Sequence, residues 1–352
     1  MGVARARDPA NAVSGTRRLE WWTPSPAKQG AGYARSKAER RGRVLVTGGA
    51  GFVGAHLVLT LRSRGLADHV VALDNLSRRG SELALPRLRA GEVEFVFGDV
   101  RNPEDLDRVG PVDLLVECSA EPSVQAGYAS DPRFLLKTNL VGTLNCLEYL
   151  RSYGGDLLFL STSRVHSIAA LRSLPLERRG ARFSLPEGRS GPGWSPRGIA
   201  LGFATQGYRS LYGATKLCAE MLIEEYAHVY GLWAVVNRCG VIAGPWQMGK
   251  VYQGFVSLWA ARSVMGGTLR YTGFGGEGLQ VREVLHVDDL TDLVALQLEK
   301  LEDHCGRVYA VGGGPEPAPC CASSRLCAQH SPDARSTWNP RPRPTPPTFP
   351  GS

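Results

Sequence analysis

The stretch Arg43-Val-Leu-Val-Thr-Gly-Gly-Ala-Gly-Phe-Val-Gly54 decides how the rest of the chain is read. Val44, Leu45 and Val46 form a short apolar run, suited to a strand buried on both faces. Gly48, Gly51 and Gly54 follow in the pattern G-x-x-G-x-x-G, with Phe52 and Val53 between the last two. Ala55 to Leu61 then opens a helix. A strand, a glycine turn and a helix N-terminus make an anion site, because unpaired N–H groups and the helix dipole point at a phosphate. The glycines serve the tight turn, close backbone approach to a pyrophosphate, and helix–strand packing. A second strand, His69 to Leu73, ends in Asp74, twenty positions after Gly54. A carboxylate there can accept bonds from an adenosine ribose, and it would repel a 2′-phosphate. The pattern therefore points to NAD rather than NADP, although Arg78 and Arg79 stand close enough to weaken the preference.

Outward from this turn the chain alternates strand and helix. Glu94–Phe97 reads as a third strand, followed by Gly98 and Asp99. Asp99 is either a group closing over an adenine or a helix cap for Pro103 to Val109. Asp113–Glu117 is a fourth strand, with Ser119-Ala-Glu-Pro-Ser123 at its end. A long helix runs from about Pro132 to Leu150 and carries Asn139. Asp156–Leu160 is a fifth strand, with Ser161, Thr162 and Ser163 after it. Residues 167–210 are rich in Gly, Pro, Arg and Ser and form a long loop. A helix opens at Tyr212 and reaches about Tyr230, and Ala234–Cys239 is a sixth strand. Gly244 to Lys250 is a loop, and Gly254 to Met265 a helix. Leu269–Thr272 and Val281–His286 are short strands. Val287 to Leu301 is a helix capped by Asp288 or Asp289, and Arg307–Val311 is a strand ending in three glycines. The repeated β–α order predicts an α/β fold, a doubly wound parallel sheet of Rossmann type with right-handed crossovers. A smaller C-terminal substrate lobe, drawn mainly from 240–280, is expected to be incomplete.

The net charge of +8 sits in the flanks. Residues 1–43 carry ten Lys/Arg against three acids, and residues 315–352 four against two, which leaves about −1 for the middle. A near-neutral core argues against nucleic-acid binding. Hydrophobic content is 43%, and no apolar run approaches the ~18 residues that span a membrane. The N-terminus lacks the apolar core of a secretory signal. Cys118, Cys146, Cys218, Cys239 and Cys305 are scattered as in a reduced cytoplasmic protein, and no cysteine pair has zinc-ligand spacing beside histidines. Residues 1–42 read as a disordered basic leader, and 315–352 as a disordered or aberrant Pro- and Arg-rich tail.

Tyr212 and Lys216 stand one helical turn apart on one face. A phenol with an ordinary pKa near 10 is a poor base at neutral pH. A neighbouring ammonium favours its ionised form. Thr162, at a strand end, could hold a substrate hydroxyl while Tyr212 takes its proton. Lys216 could hold a ribose.

The segments Thr47–Gly54, Asp74-Asn-Leu-Ser-Arg78, Thr162, Tyr212-x-x-x-Lys216 and Arg282-Glu-Val-Leu-His286 resemble the extended short-chain dehydrogenase/reductases. Within these, Ser161-Thr-Ser-Arg-Val165, Arg209-Ser-Leu-Tyr-Gly213 and Gln280–His286 are most similar to nucleotide-sugar epimerases of the CDP-paratose 2-epimerase type. The resemblance covers about Arg43 to Gly314. It implies a tightly held NAD, a nucleotide-diphosphate sugar as substrate, and epimerisation through a transient keto sugar with return of hydride to the other face. Homodimers are common in such families. Catalytic roles fall on Thr162, Tyr212 and Lys216. Cofactor contacts fall on Gly48, Gly51, Phe52, Val53, Gly54, Asp74, Asn75, Asp99, Val100, Ala120, Asn139, Tyr212 and Lys216. Arg282 matches the arginine that contacts the nucleotide diphosphate, and Arg238, Gln247 and Lys250 are further candidates for that pocket. A plainer reading of Arg282 is a salt bridge to Glu283 or Asp288.

Three departures stand out. His166 occupies a position where tyrosine is usual. Glu283 replaces the usual aspartate, and the family's C-terminal helices are not recognisable after Gly314. Other reactions of the family, a 4-epimerase, dehydratase or decarboxylase, are the alternatives. Dehydratases carry an Asp-Glu pair after the catalytic Thr, where this chain has Ser163-Arg164. A non-catalytic NAD-binding chain with a defective C-terminus is the reading from another class.

Overall fold

The computed structural model describes residues 13–18, 41–128, 130–249, 254–269, 271 and 276–314. Eight strands make the central sheet: β1 (Val13–Arg18), β2 (Arg41–Thr47), β3 (Ala67–Asp74), β4 (Glu94–Phe97), β5 (Leu114–Glu117), β6 (Asp156–Thr162), β7 (Ala234–Cys239) and β8 (Arg307–Val311). Their order is β1-β8-β7-β6-β5-β2-β3-β4. The seven strands β2 to β8 run parallel. The chain begins this set at β2, winds out to β4, returns to β5 beside β2, and winds the other way to β8. That reversal opens a crevice at the C-terminal ends of β2 and β5, where doubly wound sheets bind ligands.

The principal helices are α1 (Phe52–Ser63), α2 (Gly142–Tyr153), α3 (Leu211–Tyr230), α4 (Phe255–Met265) and α5 (Val287–Glu299). Helices cover both faces of the sheet, which is why the strands read as unbroken apolar runs rather than alternating ones. Val44, Val46, Leu114, Val116 and Leu158 pack with Leu57, Val58 and Leu61 of α1 and Leu290 and Val294 of α5. The alternate residues Leu45, Leu115, Leu157 and Phe159 pack with Cys146 and Leu147 of α2 and Ala219 and Ile223 of α3. The Ser210 hydroxyl caps α3 by accepting from Gly213 N at 3.1 Å, and Gly231 ends it at φ +68°.

Several expectations need correction. Residues 1–42 are not wholly outside the fold, because β1 runs antiparallel along the β8 edge, pairing Arg18 with Arg307 and Val13 with Val311. The long helix expected from Pro132 is broken into Arg133–Leu136, a π-helical turn Lys137–Val141, and α2. The cap of α5 is His286, whose Nδ1 accepts from Asp288 N at 3.2 Å, and not Asp288 or Asp289. Residues 167–210 contain a short helix and two small β-ribbons. Leu269 and Tyr271 lie in no strand, and Arg270 and Thr272 fall outside the described residues. The tail 315–352 also lies outside them. Among the described residues no helix is long and apolar enough to cross a membrane.

Candidate active site

The glycine turn leads from β2 into α1. Gly51 N donates to Gly48 O at 3.0 Å, and Gly48 has φ +65°, a backbone region that favours glycine. A Cβ on Gly49 would lie 2.6 Å from Ala72 Cβ. A Cβ on Gly54 would lie 2.8 Å from Gly48 C and closer still to Gly48 O. Each side chain is absent where the backbone needs the space. The N-terminus of α1 has no side-chain cap and no acidic residue in its first turn, so its N–H groups remain available to an anion. Asp74, at the end of β3, accepts from Ala50 N at 3.1 Å and Leu76 N at 2.8 Å. Burial pushes its pKa up, against these backbone bonds that pull it down. Asp74 thus braces the turn as well as facing the crevice. This cradle fits the diphosphate and ribose of a dinucleotide.

Asn75 Nδ2 donates to Asp99 Oδ2 at 2.8 Å. Asp99 also pairs with Arg101 at 2.5 Å. Burial would raise the Asp99 pKa, but the bonds from Arg101 and Asn75 outweigh it and hold the carboxyl at about 2. Asp99 does not cap the following helix; its N–H donates to Asp105 Oδ2 at 2.8 Å. Val100 is 5% exposed and belongs to the core. Ala120 lies half-buried beyond β5. Asn139 is fully buried in the π turn, a feature common at functional sites. Its Oδ1 accepts from Glu121 N at 2.8 Å, and its Nδ2 donates to Glu121 O at 3.1 Å and Thr215 Oγ1 at 3.2 Å. Asn139 therefore ties the Ser119–Ser123 loop to α3.

Thr162 ends β6, is 7% exposed, and lies in register with Cys239 on β7. Tyr212, on the first turn of α3, stands close enough for Thr162 to lower its pKa. Burial pushes the Tyr212 phenol up to about 12, with Thr162 and Arg164 pulling the other way. Lys216 is 2% exposed, and its Nζ sits 4.2 Å from the Phe159 ring centroid. Burial lowers its pKa, opposed chiefly by Glu117. Sequence reasoning set Lys216 beside the phenol. Lys216 is coupled electrostatically to Glu117, and Arg164 is a cation that lowers the Tyr212 pKa.

Glu117 had drawn no attention in the sequence. It is 1% exposed at the end of β5, accepts from Thr143 Oγ1 at 2.5 Å, and its Oε2 has no partner among the described residues. Burial raises its pKa, and Lys216 lowers it. A lone acid closing an apolar strand was the available signal. Glu220, likewise unremarked, accepts from Ser161 Oγ and pairs with Arg238 at 2.6 Å. Its spacing from Tyr212 and Lys216, four residues further on, places it on their helix face.

Arg238 is therefore committed to a buried ion pair and is not free for substrate. Its side of β7 faces a cavity of about 410 Å³ under Leu201–Gln206, on the opposite strand face from Cys239. Gln247 is also committed: its Nε2 donates to Ile242 O at 2.8 Å, and its Oε1 accepts from Ser257 Oγ at 2.6 Å. Lys250 lies outside the described residues. Arg282 forms no salt bridge with Glu283 or Asp288; it donates to Val281 O at 2.9 Å and Gln280 Oε1 at 2.8 Å. Glu283 lies instead against Gly312, where a side chain would collide with it.

A dinucleotide cradle at the switch point of a parallel sheet, with a Thr and a Tyr brought together at the neighbouring strand end, defines a dinucleotide-dependent enzyme class. The chain belongs to the NAD dependent epimerase/dehydratase family, whose model matches residues 44–312. It is 29% identical over 279 residues to a CDP-paratose 2-epimerase of Salmonella typhi, covering 77% of this chain and 79% of that protein. It is 30% identical over 277 residues to a dTDP-glucose 4,6-dehydratase of Mycobacterium tuberculosis, covering 78% and 73%. Among solved structures, the UDP-glucose 4-epimerase of Thermus thermophilus in complex with NAD aligns with a TM-score of 0.62 at 32% identity, covering 82% of each chain. The family is NAD-dependent, and the cradle described above fits that cofactor.

Proposed function

We propose that this chain epimerises a nucleotide-activated sugar by transient oxidation to a ketone, in the manner of a CDP-paratose 2-epimerase. The observation that carries the proposal is the juxtaposition of Thr162 and Tyr212 at the C-terminal end of β6. A sugar hydroxyl entering there meets a hydroxyl that can hold it and a phenol that can take its proton. With its pKa at about 12, Tyr212 is a neutral donor in the resting chain. Positive charge must close in before it serves as a base, and Arg164 is the cation already acting on it. Bound NAD supplies a two-electron acceptor that is regenerated within the same turnover. The N–H groups of the Gly48–Gly54 turn, with Phe52 and Val53, would hold its diphosphate. Asp74 and Asn75 would face its adenosine end, and Lys216 its second ribose. Arg282, free of acidic partners among the described residues, would take the substrate's phosphates.

Dehydration needs a further acid–base pair beside the threonine. Ser163 and Arg164 stand there instead, and a guanidinium does not give up its proton at neutral pH. This favours epimerisation over the dehydratase reading. The test is a panel of CDP-paratose, UDP-glucose and dTDP-glucose with the purified full chain, following products by NMR and reduced cofactor by absorbance. An epimer without net NADH is expected. A 4-keto-6-deoxy product would establish the dehydratase alternative. Retained NAD without turnover of any sugar would establish the non-catalytic one.

A further inference from the structure

Several arginines on this molecule find an acid. Arg43 pairs with Glu94, Arg101 with Asp99, Arg108 with Asp105, Arg151 with Glu148 and Arg178 with Glu277. The arginines around Thr162 and Tyr212 do not. Arg164, Arg209 and Arg282 have no carboxylate partner among the described residues. The Arg164 N–H donates to Thr162 Oγ1 at 3.2 Å, which fixes this residue's backbone beside the hydroxyl. Arg164 is exposed to solvent as a residue, although its guanidinium is partly desolvated. Burial and the nearby Arg282 lower its pKa, and Tyr212 raises it. Arg282 meets only a carbonyl and an amide oxygen. Arg209 Nε is buried and unpartnered. Its Cδ lies 3.4 Å from the point a Gly213 Cβ would occupy, a point that Arg164 O also crowds. Like charges gathered without counter-charge repel one another. A dianionic ligand relieves that repulsion, and a guanidinium forks onto two phosphate oxygens.

We propose that Arg164, together with Arg282, grips the phosphate attached to the sugar's anomeric carbon, and so presents C2 of the sugar to Thr162 and Tyr212. This rests on the nucleotide-sugar reading above. The phosphate hangs on the C1 oxygen. C2 is the adjoining ring carbon, whereas C4 lies across the ring. An anion grip two residues from Thr162 therefore holds the phosphate on the reacting side. Oxidation at C4 would need the phosphate a ring's width away. The arginine is in this view a substrate-binding residue that selects the carbon to be oxidised, and its place after Thr162 is where a dehydratase keeps an acid.

The test uses the full chain with NAD added. Calorimetry with CDP and with CMP compares wild type, Arg164→Gln and Arg164→Lys. Loss of a charge-assisted phosphate contact should weaken CDP about 10- to 100-fold in Arg164→Gln, with CMP changed less than about threefold and part of the CDP affinity restored in Arg164→Lys. Equal weakening of CDP and CMP, or none, would overturn the grip; melting temperatures of the three proteins would expose a folding defect, and Arg164→Lys then carries the comparison. The second arm is turnover of CDP-paratose deuterated at C2 or at C4. Slowing with the C2 label alone is expected, and slowing with the C4 label overturns the placement. No turnover with the CDP result intact would remove the epimerase reading and leave the grip standing. Turnover at C2 with no CDP effect would do the reverse.

Discussion

His166 should give the fold an acid sensitivity that a single substitution removes. The ring is 7% exposed, packs edge-on to Phe203 at 5.6 Å, and has Nδ1 3.2 Å from Phe203 O. Burial lowers its pKa to about 4, with Arg238 and Arg209 adding to the effect and the backbone of Phe203 and Ala204 resisting it. In the unfolded chain the ring titrates near its ordinary 6.5. The unfolded state therefore binds the proton first, and stability falls as pH drops from about 6.5 toward 4. Below about 4 both states are protonated and the loss stops growing. One pKa unit is worth about 1.4 kcal/mol, so the loss reaches roughly 2 kcal/mol by pH 4.5. Urea unfolding at pH 7.5, 6.5, 5.5 and 4.5 would measure it in wild type and His166→Phe. Carboxylates also titrate at the acid end, so the quantity that matters is the difference between the two proteins. That difference should move by about 2 kcal/mol in favour of the variant as pH falls, at unchanged m-value. Parallel stability curves would refute the claim that the folded ring is held neutral.

Other expectations follow from the same geometry. Gly54→Ala places a methyl against Gly48 and should cut NAD affinity by about 100-fold or more by fluorescence titration. Gly202→Ala, where a Cβ meets nothing within 4 Å, should leave it unchanged. Glu220→Gln strands the Arg238 charge and should cost about 3–5 kcal/mol in chemical denaturation, whereas the double change Glu220→Leu with Arg238→Met should recover most of it. Tyr212→Phe should lower kcat by about 100- to 10,000-fold while leaving NAD bound, as followed by turnover and cofactor retention.

The parts of the site that were readable in the sequence are those whose chemistry is local. The Gly48–Gly54 turn is one, since each glycine answers to a neighbour a few residues away. Tyr212 and Lys216 share a helix face by spacing alone. The doubly wound parallel sheet followed from alternation and handedness. What stayed hidden depends on contacts across the sheet. Arg238 looked like a free cation because its partner Glu220 lies on α3, eighteen residues earlier, and only the packing of α3 on β6 and β7 brings them together. The π turn that swings Asn139 inward has no composition signature. Glu117 was read as a strand residue, and its burial beside Lys216 appears only once β5 lies under α3. His166 registered as a departure from a pattern, but nothing local showed that the 199–207 loop closes over it.

The antiparallel strand Val13–Arg18 carries a consequence for how this protein must be handled. By covering β8 it insulates the last parallel strand, whose N–H and C=O groups would otherwise form an open, adhesive border. A version beginning at Arg43 would keep the whole cofactor cradle and expose five residues of that border, Arg307 to Val311. Such a shortened chain would recruit strands from other molecules, so that trimming a stretch remote from the chemistry would show itself as turbidity and not as lost catalysis.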